Sequence, residues 1–138
     1  MQPKNNINAK NNKVLFDTSA LLALINKEPG YEQLESLLAS SCISAVSLGE
    51  VVIELRKIGV PIAEIEEIVK EVIPEVIAFT HQMGFLSGSL ASITEELGLS
   101  LVDRACVSTG IINNMVIYTT NQTLQKLQID NLNVVVIR

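Results

Sequence analysis

Residues 13–26 read KVLFDTSALLALIN, a short apolar run that ends at Asp17 and is followed at once by a helical pattern. The run Lys13–Phe16 predicts a first strand, and Thr18 and Ser19 are residue types that begin helices. A strand that passes directly into a helix is the usual start of a βαβ unit, in which successive strands lie parallel. The segment therefore predicts an α/β fold.

The alternation of strand and helix continues along the chain. Further strands are predicted at Cys42–Val46, Glu75–Phe79, Met115–Thr119 and Val134–Ile137, and helices over 20–26, 31–39, 47–57, 62–72, 81–97 and 102–112. Hydrophobic residues make up 48% of the sequence but aromatic residues only 4%, so the core must be aliphatic. Such a core suits a sheet covered by helices on both faces. We expect a three-layer α/β/α arrangement around a central, mainly parallel sheet of four or five strands.

The length of the chain, 138 residues, fits one compact domain. Residues 1–12 are rich in Asn and Lys and lack the apolar stretch of a signal peptide, which predicts a flexible tail before a single domain over 13–138. No stretch approaches the roughly 18 consecutive apolar residues of a transmembrane helix. The two cysteines, Cys42 and Cys106, lie apart in apolar surroundings, which is typical of reduced thiols. We expect a cytoplasmic protein with no membrane association.

Charge and residue types limit the possible functions. The formal net charge of −5 argues against a protein that holds nucleic acid mainly by neutralising phosphates. A nuclease that holds its substrate through a metal ion in an acidic site is still compatible with this charge. The single histidine, His81, has no obvious Ser or Cys partner, and one histidine with two distant cysteines does not make a usual zinc site. The sequence also has no Gly-rich phosphate-binding loop.

Three acidic residues stand apart from the glutamates on the polar faces of the predicted helices. Asp17 ends the first strand, Glu50 is followed by three apolar residues, and Asp103 lies between Val102 and Arg104 at the start of a helix. Parallel sheets bind ligands beyond the carboxyl ends of their strands, and the loop that carries Asn121 reaches the same edge. Three carboxylates and an amide are therefore expected in one cleft. A hard divalent cation, Mg²⁺ or Mn²⁺, would relieve the repulsion between the carboxylates.

Ordinary helix capping offers a competing explanation of the same residues. Both Ser47–Glu50 and Ser100–Asp103 match the capping box, in which a serine and an acid satisfy free backbone N–H groups. Asp17 fits a simple strand-to-helix turn, and Asn121 fits a turn or an N-cap. Taken alone, each motif is more typical of a cap than of a functional site. Capping does not require all of them at one edge of the sheet, and this joint placement favours a function.

Four segments together resemble the PIN-domain toxins of the VapC type. Residues 14–24, VLFDTSALLAL, are similar to the strand and helix that deliver the first metal-binding aspartate of that family. Residues 44–51, SAVSLGEV, resemble the segment that carries a glutamate, and residues 98–106, GLSLVDRAC, resemble the segment that supplies the third acid. Residues 118–121, YTTN, fall where the family has Tyr-Thr-Ala-Asp or a close variant. The resemblance runs in order from Val14 to Arg138.

The resemblance implies a PIN-like fold and a Mg²⁺- or Mn²⁺-dependent endoribonuclease, the toxin of a type II toxin–antitoxin system. It also implies a homodimer that cleaves an RNA substrate and is neutralised by a cognate antitoxin protein. By the same resemblance, three acids are the catalytic metal ligands: Asp17, Glu50 and Asp103. Supporting hydroxyls would come from Thr18, Ser19 and Thr119. Arg104 would contact a substrate phosphate, with a salt bridge as the alternative.

Asn121 departs from the family pattern, because it occupies the place of a fourth acid. Its amide oxygen can still bind a metal or a coordinated water, but it brings no charge, which should weaken divalent-ion binding. We expect weakened but retained activity. The first alternative is a catalytically inactive PIN domain that acts as an antitoxin-binding module.

Two further alternatives come from other classes of protein. A phosphotransferase with Asp17 as nucleophile usually has a second acid two residues later, where this chain has Ser19. A purely structural protein would bind no divalent metal.

Overall fold

The computed structural model describes residues 12–73 and 75–138. Its central sheet has five strands, all parallel, in the order β3-β2-β1-β4-β5. The strands are β1 Val14–Phe16, β2 Ser41–Ser44, β3 Glu75–Ile77, β4 Val116–Thr119 and β5 Val134–Val136. The predicted α/β class and the parallel sheet are confirmed.

Helices connect the strands along the chain. They are α1 Thr18–Ile25, α2 Tyr31–Glu35, α3 Ala45–Lys57, α4 Ile62–Val72, α5 His81–Ser89, α6 Ala91–Thr94 and α7 Leu101–Asn113. Short 3₁₀ helices occur at Leu38–Ser40, Glu95–Leu97 and Gln122–Lys126. Among the described helices, none is both long enough and apolar enough to cross a membrane.

Alternation of side chains along β1 divides the core into two apolar clusters. Phe16 faces the cluster built mainly by α1, α3 and α4, where it packs with residues such as Leu21 and Val51. Leu15 points to the opposite face and packs with Cys106 and Val107 of α7. Each of these six side chains is at most 1% exposed, so β1 is buried on both sides. The molecule is therefore a three-layer α/β/α structure, as expected.

The second strand and the third helix both begin earlier than the sequence indicated. The predicted strand Cys42–Val46 is in fact Ser41–Ser44, and α3 begins at Ala45 rather than at Ser47. The reason is that the hydroxyl of Ser44 caps the helix, accepting a hydrogen bond of 3.1 Å from Val46 N. The predicted start at Ser47 is wrong, and Ser47 lies inside the first turn.

Two predicted helices are shorter or broken. The helix predicted over 81–97 ends at Ser89 and is followed by α6 and a 3₁₀ turn, and the one predicted over 31–39 ends at Glu35. Serine and threonine hydroxyls near these breaks donate to nearby backbone carbonyls, as Ser36 does to Gln33 O at 2.7 Å and Thr94 to Leu90 O at 2.9 Å. Such bonds compete with the regular helical pattern.

The predicted N-terminal tail, residues 1–12, lies outside the described residues except for Asn12, which is exposed. Cys42 and Cys106 are buried and free, as predicted.

The centre of the sheet and the helix above it lie close together at one point. A Cβ added to Gly110 of α7 would lie 2.7 Å from Cδ1 of Ile117 in β4, closer than real contacts allow. Glycine at this position lets α7 lie directly against β4. At the carboxyl edge, Asp17 N donates to Tyr118 O at 3.1 Å, so the ends of β1 and β4 are joined.

Candidate active site

Asp17 follows β1 directly and is the N-cap of α1, so the end of the strand fixes its position. Its Oδ1 atom accepts hydrogen bonds from Ser19 Oγ at 2.7 Å and from Ala20 N at 2.9 Å. Its Oδ2 atom accepts from the hydroxyl of Thr119 at the end of β4. The side chain is only 7% exposed. Three donors from two elements therefore hold one buried carboxylate.

The two hydroxyls that bind Asp17 are themselves held by the backbone after β4. Thr120 N donates to Ser19 Oγ at 2.9 Å, and Asn121 N donates to Thr119 Oγ1 at 2.9 Å. The two hydroxyl oxygens are 3.2 Å apart. Since each hydroxyl has one hydrogen and directs it to Asp17, this contact is proximity rather than a hydrogen bond. The loop after β4 thus sets the orientation of the Asp17 carboxylate.

Burial raises the pKa of Asp17 above its ordinary value, while the donors from Thr119, Ser19 and Ala20 N lower it. The negative charge of Asp103 raises this pKa further. No ion pair in the described part of the chain includes Asp17. A buried carboxylate with hydrogen-bond donors but no cationic partner is an attractive position for a positive ion.

A cavity of about 260 Å³ opens beside Asp17. It is lined by the four residues that the sequence placed at this edge of the sheet: Asp17, Glu50, Asp103 and Asn121. Helix α3 contributes Ser47 and Glu50, and helix α7 contributes Asp103 and Cys106. Each pair is spaced i,i+3, which places both members on the same face of a helix.

Glu50 and Asp103 differ in how far capping explains them. Oδ2 of Asp103 accepts from Ser100 N at 2.9 Å and from Ser100 Oγ at 3.0 Å, so the capping box predicted for this pair is present. The one predicted for Ser47 and Glu50 is absent, since Ser44 is the cap and Glu50 lies beyond the first turn of α3. Both acids are half-buried. Helix capping therefore does not explain why a glutamate occupies position 50.

Asn121 lines the cavity but also has a structural partner. It is the N-cap of the 3₁₀ helix Gln122–Lys126, and its Oδ1 accepts a hydrogen bond of 3.0 Å from Thr123 N. The predicted N-cap role is therefore present. The oxygen that could bind a cation is already engaged by a backbone N–H.

Thr18 and Arg104 have different positions relative to the cavity. Thr18 lines it and donates weakly to Ser47 O at 3.4 Å. The guanidinium of Arg104 donates to two backbone carbonyls, Ser87 O and Leu99 O, both at 3.1 Å. No ion pair of the described residues includes Arg104, so the salt-bridge alternative is wrong. Its contact with a phosphate stays a prediction.

Two residues at the floor of the cavity, Ser47 and Cys106, were not among the predicted site residues. They are 0% and 1% exposed. The Ser47 hydroxyl is buried and makes no hydrogen bond of ordinary geometry with the described residues, although it lies close enough to the Cys106 thiol to act on its pKa. Burial raises the pKa of the Cys106 thiol well above its ordinary value, and the charges of Asp17 and Asp103 add to this, while the Ser47 hydroxyl opposes it. Their i,i+3 spacing from Glu50 and Asp103 was the signal that could have found them.

The donor set fits a divalent ion that prefers oxygen. Within residues 12–73 and 75–138, no three His, Cys, Asp or Glu side chains are already arranged to hold a metal. However, Asp17 has no cationic partner in the described part of the chain. Mg²⁺ usually keeps several waters and takes only one or two protein carboxylates, so it does not need a closed cage. Glu50 and Asp103, which are half-buried, line the same cavity as Asp17.

The sequence matches the PIN-domain family model over residues 14–129. No curated protein matches the sequence. Among solved structures, VapBC2 from Rickettsia felis bound to a promoter DNA fragment is similar, with 24% identity over 88% of this chain and 96% of that one and a TM-score of 0.66. DNA-bound VapBC from Salmonella typhimurium has 16% identity, coverages of 91% and 98% and a TM-score of 0.70. VapC20 from Mycobacterium tuberculosis, a Sarcin-Ricin loop cleaving toxin, has 18% identity, coverages of 86% and 98% and a TM-score of 0.67. At these identities the likeness is one of fold.

Proposed function

The chain belongs to the PIN-domain family, and from this premise we propose that it is a metal-dependent endoribonuclease, the toxin of a type II toxin–antitoxin system. The observation that carries the proposal is the cavity in which Asp17, Glu50 and Asp103 meet from a strand end and two separate helices. We place the activity in a single domain, residues 13–138, of a cytoplasmic protein. The substrate is RNA, and the bond that breaks is a phosphodiester.

The partners in this proposal are a cognate antitoxin and a second copy of the chain. Several similar structures are toxin–antitoxin complexes, including one from Klebsiella pneumoniae with 20% identity, and these support an antitoxin partner. The Mycobacterium tuberculosis relative cleaves the Sarcin-Ricin loop, which supports RNA as the class of substrate.

The residues of the chain would act by position and charge. Asp17, Glu50 and Asp103 would hold one Mg²⁺ or Mn²⁺, with Asp17 already fixed by the hydroxyls of Ser19 and Thr119. When bound, such an ion supplies charge neutralisation at the phosphate and a more acidic water. The hydrogen bonds to Asp17 favour its ionised form, which is the form that binds a cation. Ser100 restrains Asp103 through Oδ2, leaving rotation of the half-buried Glu50 to complete the site.

An RNA cleavage assay with a matched control tests this proposal. Antitoxin-free protein is incubated with total RNA in Mn²⁺, Mg²⁺ or EDTA, alongside Asp17→Asn and Asp130→Asn. Asp130 is an exposed aspartate that does not line the cavity. We expect metal-dependent cleavage by the wild type and Asp130→Asn, and loss of cleavage with EDTA or Asp17→Asn. Equal cleavage by Asp17→Asn and the wild type would refute the proposed site.

One observation favours a second candidate, an inactive PIN domain that binds the antitoxin. Asn121 brings no charge, and its amide oxygen is occupied by Thr123 N. Under this alternative the wild type does not cut RNA in any metal, whereas Asn121→Asp does. Cleavage by the wild type would exclude it.

A further inference from the structure

Helix α5 has one side packed on the molecule and one side exposed. On the inner side, the Ser87 hydroxyl lies 3.0 Å from Ser108 Oγ of α7. On the outer side, the Phe85 side chain is 75% exposed, the largest value among the large apolar side chains on the described surface. A mostly apolar cavity of about 440 Å³ lies beside it, lined by His81, Gln82, Phe85, Leu86, Ser89 and Ile112. An exposed aromatic ring next to an open apolar cavity is typical of a docking surface.

This surface has no acid, lysine or arginine, although the chain as a whole is acidic. Residues 76–94 and 105–125, which include every residue that lines the cavity beside α5, contain no Asp, Glu, Lys or Arg, whereas the net charge of the chain is −5. An RNA would need cations here, and a highly charged protein segment would need opposite charges. A second copy of the chain is repelled wherever acidic surfaces meet, so two copies approach best through a surface without such charges. The occupant that fits this surface is therefore a second copy of the chain.

Two glycines of α5 lie on the same exposed side as Phe85. Gly84 and Gly88 are both exposed, and their i,i+4 spacing places them on one face of the helix. A Cβ built on Gly88 would meet no described atom beyond its own helix within 4 Å, and one built on Gly84 would meet only the Phe79 ring, at 3.6 Å. Glycine inside a helix is less favourable than alanine, and the packing of this chain does not require it at either position. The close approach of another backbone would require it.

We propose that the exposed side of α5 is the surface through which two copies of this chain form a dimer. In a twofold arrangement, Phe85 of each copy enters the cavity beside α5 of the other, so both rings are removed from water at once. Gly84 and Gly88 let the two α5 helices come close together. The dimer surface rests on the proposed function, in which a second copy is a partner, but it does not depend on the ribonuclease activity. None of the residues that line this cavity lines the acidic one.

Sedimentation of the antitoxin-free protein measures the dimer directly, with Phe85→Glu and Ile62→Glu as a matched pair. Ile62 is 56% exposed at the start of α4 and does not line the cavity beside α5. We expect dimers of the wild type and of Ile62→Glu. The dissociation constant of Phe85→Glu should be at least about 30-fold higher, as is usual when an interface loses a central aromatic anchor. A wild type that is monomeric at every concentration, or a folded Phe85→Glu that dimerises as tightly as the wild type, would overturn the proposal.

Gly88→Ala gives a second measurement, because its two effects have opposite signs. In the monomeric Phe85→Glu background, alanine should raise the Tm, since it is the better helix former and its methyl group meets no obstacle. In the otherwise wild-type chain, it should raise the dissociation constant of the dimer by about 10-fold, since the added methyl groups hold the two helices apart. The second result does not depend on whether Phe85→Glu folds. A Gly88→Ala dimer as tight as that of the wild type would overturn the proposal.

The dimer surface and the ribonuclease fail in different ways in these experiments. A dimer that Phe85→Glu weakens, without cleavage of RNA by any variant, would support the surface and count against the ribonuclease. Metal-dependent cleavage by a chain that is always monomeric would do the reverse. Hydrogen exchange of α5 should slow as the concentration of the chain alone rises. Slowing that needs added total RNA or the cognate antitoxin would assign the surface to that partner and overturn the proposal.

Discussion

Replacing Asp17 by asparagine should make the metal-free protein more stable while removing its response to metal. The site can accommodate the amide, because Oδ1 can keep its bonds from Ser19 Oγ and Ala20 N. The new N–H group can donate to Thr119 Oγ1, whose own hydrogen can turn to Ser19 Oγ, 3.2 Å away. Only the second hydrogen of the new amide would then lack a partner among these groups.

The magnitude follows from two opposing contributions. Hydrogen bonds to a charged group contribute about 1.5–3 kcal/mol and neutral ones about 0.5–1.5 kcal/mol, so three weakened bonds cost about 3 kcal/mol. Removing a buried charge recovers a desolvation penalty of several kcal/mol. Burial is the largest effect on the pKa of Asp17 and the net direction is upward, so the penalty exceeds the gain from the donors. We expect the free energy of unfolding to rise by about 1–2 kcal/mol, or the Tm by about 5 °C.

The pH dependence gives this prediction a second measurement. The pKa of Asp17 is raised in the folded state, so its contribution to stability is fully present below the ordinary value of 3.8 and is lost as pH rises through the folded value. Asparagine does not titrate. Urea unfolding in EDTA should therefore show the largest advantage of Asp17→Asn at neutral pH and a smaller one towards pH 3.8.

Metal should reverse the order of stability. Mn²⁺ at about 100 times its Kd stabilises the wild type by about 2.7 kcal/mol and should leave Asp17→Asn unchanged. Asp130→Asn, at an exposed aspartate, is the control and should follow the wild type under every condition. If Asp17→Asn is no more stable than the wild type in EDTA at neutral pH, the reasoning about the buried charge is refuted.

Other substitutions test the mouth of the cavity and the packing behind it. Asn121→Asp should bind Mn²⁺ more tightly than the wild type by calorimetry, since it adds a charge at the cavity wall; equal affinity would mean that this side chain does not face the ion. Gly110→Ala should lower the free energy of unfolding by about 1–3 kcal/mol, because the added methyl group meets the buried side chain of Ile117, and a urea midpoint equal to that of the wild type would contradict this. Ser100→Ala should cost about 1 kcal/mol of stability by removing the N-cap that also restrains Asp103, and Ser100→Thr, which keeps the hydroxyl, should recover most of it.

The sequence was sufficient to predict the layers of the fold and the edge of the sheet where polar groups meet. The uninterrupted apolar run that ends at Asp17 predicts a strand that is buried on both faces. The last residues of parallel strands lie at one edge of the sheet. The exact start of α3 was not predictable in this way. Ser44 and Ser47 are both good capping residues and both are fully buried, and the structure distinguishes them because Ser44 has an extended backbone and accepts the hydrogen bond from Val46 N.

The residues at the floor of the cavity could not be predicted from the sequence for a related reason. Cys106 reads as an ordinary apolar core residue, and its proximity to Asp17 depends on how α7 packs across the sheet. The hydrogen bond from Thr123 N to Oδ1 of Asn121 could not be predicted either, because an asparagine at this position fits an N-cap and a metal ligand equally well. Local patterns give the identity of the acids, whereas the partners of each atom depend on contacts between distant segments.

The bond from Thr119 to Asp17 has a consequence for the synthesis of the protein. It joins residues 102 positions apart in the chain. During translation Asp17 leaves the ribosome long before the strand that orients its carboxylate has been made, and β1 until then lacks its neighbour β4. A nascent chain therefore cannot assemble the cavity until most of it has been synthesised. Until then the Asp17 carboxylate lacks the Thr119 hydroxyl that orients it.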